Sequence, residues 1–151
     1  MPDASHPAAE FTHRFVTEVP PYRHLDEATL YICLEYATTV HLCACGCGLE
    51  VVNALSPTDW RLTFDGETVS LSPSINNSGL ACASHYWIDH GQIFWCEVVP
   101  TARVEALRAA DKRAKQRFYA DEVDHRKANR SPAQDTRVSR LSRIWRRVRH
   151  K

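Results

Sequence analysis

The chain has 151 residues and a mass of 17.2 kDa; 44% of its residues are hydrophobic and 25% charged, with 5 Gly, 8 Pro and 6 Cys. This is the composition of one ordinary globular domain with room for a tail, and it excludes a fibrous, collagen-like or wholly disordered chain. The net charge of +1 conceals an asymmetry: residues 125–151 carry ten Lys and Arg against Asp135 alone, a net of +9, which leaves −8 for residues 1–124.

Residues 1–10 offer nothing to bury and read as a disordered leader. An extended segment, Phe11 to Val19, ends at Pro20-Pro21, which cannot continue a central strand. Thr29 to Cys43 is rich in β-branched and aromatic residues and is predicted to hold one or two strands. Leu49–Leu55, Trp60–Phe64 and Thr68–Leu71 read as further short strands, the last two joined at Asp65-Gly66, a strong hairpin signal. His85–Ile88 and Gln92–Val98 form another predicted hairpin around His90-Gly91. Beyond Pro100 the period changes: Val104, Leu107, Ala110, Ala114 and Phe118 recur three or four apart, predicting a helix from an N-cap at Thr101 to about Val123, with one face on the sheet. SPAQD, residues 131–135, is a linker, and Val138, Leu141, Ile144, Trp145 and Val148 form an apolar stripe on an Arg-rich tail helix. The fold class expected is mainly β, a small antiparallel sheet or meander with a zinc site, plus one long C-terminal helix and a basic helical tail. The domain division is a leader at 1–10, a zinc-containing β-domain with its helix at 11–124, and an amphipathic tail at 125–151.

No window approaches the roughly 18 consecutive apolar residues of a spanning helix, and MPDASHPAAEF lacks the charged head and apolar run of a secretory signal, so a cytoplasmic location is expected. In a reducing compartment, clustered thiols bind metal more often than they pair as disulfides. Cys43, Cys45 and Cys47 lie within five residues, interleaved with Gly46 and Gly48, which allow the backbone to bend around an ion. Structural zinc takes four ligands in a tetrahedron, usually thiolates, and strand alternation would put residues two apart on one side. The fourth ligand has candidates in Cys82 and His85, spaced C-x-x-H, with Cys96 more distant. Cys82 as fourth ligand leaves His85 free; if instead one of the three clustered thiols stays unbound, His85 completes a three-sulfur, one-nitrogen site. Cys33 and Cys96 read as small buried hydrophobes.

Leu30-Tyr31-Ile32, His41-Leu-Cys43-Ala-Cys45-Gly-Cys47-Gly48, Leu55-Ser-Pro-Thr-Asp-Trp60, Val69-Ser-Leu-Ser-Pro-Ser-Ile75 and Cys82-Ala-Ser-His85-Tyr-Trp-Ile88 together resemble a bacterial family known as a domain of unknown function. The likeness covers about residues 29–96. Members occur beside genes for ubiquitin-like proteins and their activating and conjugating enzymes. The resemblance implies a bacterial ubiquitin-like conjugation pathway, with this chain as a peptidase that processes or deconjugates the modifier. The partners implied are the ubiquitin-like protein or its conjugates and the conjugating enzymes. Where the family is expected to read Pro-Ser-Ile-Gly-Asn-Trp, this chain has Pro73-Ser74-Ile75-Asn76-Asn77-Ser78.

The residue chemistry accommodates such an enzyme. A serine nucleophile needs a base to take its proton and donors to hold the oxyanion. Ser74 ends a strand before an Asn-Asn-Ser-Gly loop whose amides are available for the second task, and His85 lies eleven residues on. A Cys43, Cys45, Cys47, Cys82 zinc site would anchor that imidazole. Asp65 and Asp89 are candidate orienting carboxylates, and His41 a candidate second imidazole. Metal-assisted hydrolysis ranks lower because thiolate-rich sites are mostly closed. The rival from another class is a non-catalytic zinc-binding adaptor in the same pathway. The basic tail suits an acidic partner or the acidic body of the chain itself; a nucleic-acid-binding zinc domain rests on that tail alone.

Overall fold

The computed structural model describes residues 7–97 and 100–129, in two compact units, residues 1–107 and 108–151. The tail helix expected beyond residue 130 lies outside the described residues. The described residues of the first unit hold eight strands: β1 (Thr12–Phe15), β2 (Thr29–Cys33), β3 (Thr38–Leu42), β4 (Glu50–Ala54), β5 (Arg61–Phe64), β6 (Val69–Asn76), β7 (His85–Asp89) and β8 (Gln92–Trp95). Among the described residues there is one α-helix, α1 (Thr101–Ala128), which ends five residues beyond the expected end. Among the described residues, no helix is long and apolar enough to cross a membrane.

The strands divide into two four-stranded sheets, β1-β2-β3-β4 and β5-β6-β7-β8. The meander expectation holds for every neighbouring pair but one. β1 pairs parallel with β2, Thr12 opposite Thr29 and Phe15 opposite Ile32. The reason is in the connection: the chain leaves β1 through Pro20-Pro21 and a short 3-10 turn at Tyr22–His24, long enough to return and start β2 at the same end. The sheets are tied by backbone bonds from Phe11 and from Ala8 and Ala9 of the supposed leader. Phe11 N donates to the Gly91 carbonyl at 2.7 Å, Ile93 N to the Ala9 carbonyl at 2.9 Å, and Ala8 N to the Ala44 carbonyl at 2.8 Å.

The period-2 pattern accounts for the core. In β6 and β7, Val69, Leu71, Ile75, Tyr86 and Ile88 point inward and are essentially inaccessible, joined by Leu30 and Ile32 of β2. β2 departs from alternation because all five of its residues are buried. A central strand covered on both faces reads as a continuous apolar run, and Leu30-Tyr31-Ile32 is that run. Truncating any one of these side chains to Ala removes about 2–5 kcal/mol, through lost transfer energy and the cavity left behind.

β6 carries the feature that matters for the site. Leu71 pairs with Ile88 and Ile75 with Tyr86, so four steps along β6 answer two along β7. The irregularity falls on Ser72, Pro73 and Ser74, and it carries β6 past the expected end at Leu71 as far as Asn76. A bulge of this kind bends the strand and re-aims the side chains within it.

Candidate active site and metal centre

The three clustered cysteines sit in the connection from β3 to β4, which belongs to the first sheet, and Cys82 sits in the connection from β6 to β7, which belongs to the second. The four Sγ atoms all lie within 4.8 Å of one another. Cys43 Sγ is 3.4 Å from Cys45 Sγ and 3.9 Å from Cys82 Sγ. A zinc ion with four sulfurs at about 2.3 Å spaces them about 3.8 Å apart, so the cluster has the size of such a site and can hold a metal ion. Convergence comes from a tight turn rather than from strand alternation: Gly46 N donates to the Cys43 carbonyl, Cys43 N to the Leu49 carbonyl, and Gly46 and Gly48 adopt φ of 79° and 74°. At those angles an L side chain is strained, which is what the interleaved glycines provide for.

The thiols do not ionise alike. Burial raises Cys45, aided by its neighbour Cys43, and burial likewise raises Cys47. Burial also opposes ionisation of Cys82, but hydrogen bonds from the backbone N–H and hydroxyl of Ser84, together with those from Cys47 and Cys45, outweigh it and bring that thiol down to about 7. Ser84 and Asn77 are the parts of this centre that sequence reasoning missed. Ser84 Oγ is 3.1 Å from Cys43 Sγ, and the Asn77 amide donates to Ser84 Oγ at 3.0 Å and reaches Cys43 Sγ at 3.6 Å. Both are buried, and both orient sulfur in the way that second-layer partners orient metal ligands.

Three residues after Cys82, His85 opens β7 with its ring on the face opposite Tyr86 and Ile88. Its Nε2 is 2.9 Å from Ser74 Oγ, and its Nδ1 is 2.9 Å from the backbone carbonyl of Glu97. A carbonyl only accepts, so Nδ1 carries the ring proton; in the neutral imidazole Nε2 is then the acceptor, and the Ser74 hydroxyl donates to it. Asn76 pairs with His85 across the ladder, and the bulge just before it turns Ser74 onto the same side.

Neither aspartate considered as an orienting group meets His85. Asp65 is spent on the β5–β6 turn, where it accepts from the N–H groups of Glu67 and Thr68 and from the Thr68 hydroxyl, bonds that hold its carboxyl well below the usual carboxylate range. Asp89 accepts from Ser70 Oγ and lies 3.0 Å from His90 Nδ1. The group facing Nδ1 is a main-chain carbonyl, which carries no side-chain signal in a sequence. His41 is not a second imidazole beside Ser74. It is fully buried, its Nε2 lies 2.8 Å from the Tyr86 hydroxyl, and burial drives it down to about 3. In the loop after Ser74, the amides of Asn77 and Ser78 are already engaged, as is that of Leu80 beyond it. Asn77 N donates to the Ser84 carbonyl, Ser78 N to Asn76 Oδ1 and Leu80 N to the Asn77 carbonyl. Cys33 and Cys96 stay outside the cluster, donating to the carbonyls of Thr17 and Phe94.

A hydroxyl bonded to an imidazole whose far nitrogen is fixed by an acceptor has the parts of a serine nucleophile with its base. Residues 15–96, more than half of the chain, match the model of a family described as bacterial ubiquitination-like system serine protease (BubE). No curated protein and no solved structure matches the chain.

Proposed function

The chain belongs to the bacterial ubiquitination-like system serine protease family, and from that premise we propose that it hydrolyses the bond at the C-terminus of a ubiquitin-like protein, with Ser74 as nucleophile and His85 as general base. The observation that carries the reading is the 2.9 Å bond from Ser74 Oγ to His85 Nε2, with Nδ1 committed to the Glu97 carbonyl. His85 Nε2 takes the hydroxyl proton as Oγ attacks the carbonyl carbon. The tetrahedral adduct collapses with cleavage of the C–N bond, and the same Nε2 returns the proton to the departing amine. Water then gives a proton to Nε2 and its oxygen to the acyl carbon, which releases the acid and restores the Ser74 hydroxyl. The Glu97 carbonyl holds the ring in the required tautomer and accepts a stronger bond from Nδ1–H while the ring is cationic.

Cys43, Cys45, Cys47 and Cys82 would hold zinc as a structural ion. When bound, it supplies a rigid cross-link between the two sheets. Its all-sulfur set leaves no position for water or substrate, in keeping with a structural site. Cys82 lies three residues ahead of His85 and Ser84 adjoins it, so that cross-link sets where β7 begins and hence where the imidazole stands.

The test uses a modifier precursor carrying a C-terminal extension, incubated with the full chain and resolved by mass. The expected result is release of the extension by the parent and none by Ser74→Ala or His85→Ala, all three folding alike. Equal cleavage by the three proteins would refute the mechanism. Cleavage by none of them, with retained binding of the modifier, would favour an adaptor.

A further inference from the structure

Resting on the reading of Ser74 and His85 as a hydrolytic pair, we infer that the substrate is bound as an added β-strand on the open edge of β6 at Pro73–Asn76, with an apolar side chain next to the scissile bond seated in the groove beside Pro73.

The edge follows from the register. β5 covers β6 only from Val69 to Ser72, with Arg61 opposite Ser72. Beyond that point β6 runs on for four more residues, Pro73 to Asn76, while its other side is paired with β7 at Ile75 and Asn76. Among the described residues no strand covers Pro73–Asn76 on the β5 side. Main-chain N–H and C=O groups on an open edge are a template for an extended peptide. The open length is about 13 Å at roughly 3.3 Å per residue, which suits a short extended tail and is too little for a sheet-to-sheet dimer. Ser74, the nucleophile of the reading above, stands within that length, so a peptide paired there carries its carbonyls past the hydroxyl.

The groove continues the same edge. Where β5 stops, the chain turns away through Trp60, Pro57 and Leu55, and it leaves a cavity of about 700 Å³ between that turn and Ser72-Pro73. Leu34, Leu55, Trp60 and Leu62 give it its apolar lining, alongside the polar Ser56, Asp59 and Arg61. Leu34 is 64% exposed at its mouth, an arrangement with no packing purpose of its own. Pro73, the residue before Ser74 and the first of the uncovered stretch, lines the cavity, so a segment that pairs with the edge comes within reach of it with a side chain.

The experiment uses the full metal-loaded chain, a fluorophosphonate to report the nucleophile, and a random decapeptide pool with cleavage positions read by mass spectrometry. The favoured sequence is then resynthesised with single backbone N-methyl groups. The expected result has four parts. Ser74 is labelled, and Ser74→Ala is not. Leu, Met or Phe is preferred over Gly or Asp about 10-fold or more at one position adjoining the cut. N-methylation at alternate residues lowers kcat/KM about 10-fold, as loss of one main-chain hydrogen bond does, with little effect between them. Leu34→Asp, at an exposed position and with an unchanged melting temperature, abolishes the apolar preference. Labelled Ser74 with cleavage indifferent to N-methylation and to the adjoining side chain would overturn strand addition and leave the hydrolase standing. Labelled Ser74 with no decapeptide cleaved would do the same, because an open edge accepts an unfolded strand. Absence of both labelling and cleavage would overturn the hydrolytic reading and this inference with it.

Discussion

Chelation should unfold the first unit. The three thiols of the β3–β4 turn and the one thiol of the β6–β7 turn belong to different sheets, and all four Sγ atoms fit within 4.8 Å. An ion held there ties the sheets together close to Cys43, which is itself 3% exposed within the main core cluster. Binding of structural zinc by thiolate sites is worth about 10–16 kcal/mol near neutral pH. A domain of this size has about 5–15 kcal/mol of stability in all. Removal of the ion therefore cancels most or all of the stability, because what remains among the four thiols, and from Ser84 and Asn77 to Cys43, are weak hydrogen bonds to sulfur. The assay follows near-UV circular dichroism, metal content and thiol reactivity together during titration with a strong chelator. The expected outcome is about one ion released per chain, with coincident loss of tertiary signal and exposure of thiols that were unreactive before, the four of the cluster and the buried Cys33. A stripped protein that keeps its near-UV spectrum and melts within a few degrees of the untreated one would refute the reasoning, as would protein that never held metal.

Other consequences follow from particular contacts. Ser84→Ala removes the hydroxyl shared by Cys43, Cys82 and Asn77, and metal affinity measured by chelator competition should fall about 10- to 100-fold without loss of the fold. Tyr86→Phe leaves His41 buried with neither ring nitrogen partnered, since Nδ1 has no hydrogen bond among the described residues; chemical denaturation should register a loss of about 1–3 kcal/mol, and an unchanged midpoint would contradict the assignment. His85→Gln keeps an amide in place of the imidazole but offers no base, so kcat should drop about 1,000-fold or more while modifier binding persists. Asp65, with its carboxyl depressed by the turn, contributes stability that is present above its ordinary value near 4 and is lost as pH falls below it. Asp65→Asn should accordingly lower the melting temperature at pH 7 and flatten its decline in acid; a variant as acid-sensitive as the parent would argue against the turn.

Much of this architecture was legible in residue spacing because the physics is local. Asp65-Gly66 and His90-Gly91 mark hairpins, since positive φ is required there and both turns adopt it at the glycine. The metal turn was legible for the same reason, with glycines where the backbone takes positive φ. The parallel pairing of β1 with β2 was not, because it depends on how far the chain travels through Pro20-Pro21 before returning. The extension of β6 beyond Leu71 to Asn76 was not legible either, because the bulge over Ser72, Pro73 and Ser74 is set by the pairing with β7. In the site, Ser74 and His85, the pair proposed to react, are singled out by residue type, spacing and the family resemblance, and the fold brings them to 2.9 Å, whereas the Glu97 carbonyl, Ser84 and Asn77 were not legible. A carbonyl leaves no trace in residue type, and Ser84 and Asn77 act only once the β6–β7 loop is folded around Cys43. His41 shows the converse, a histidine in a suggestive motif whose chemistry is spent on Tyr86 in the core.

The central claim is that Ser74 carries the acyl group, and the most direct measurement is the intact mass of the chain in an acid-quenched reaction with a modifier precursor, followed by peptide mapping. The expected result is an increment equal to the acyl portion of the modifier, located on the peptide bearing Ser74 and absent from Ser74→Ala. An adduct on one of the cysteines, or full cleavage by Ser74→Ala, would contradict the account.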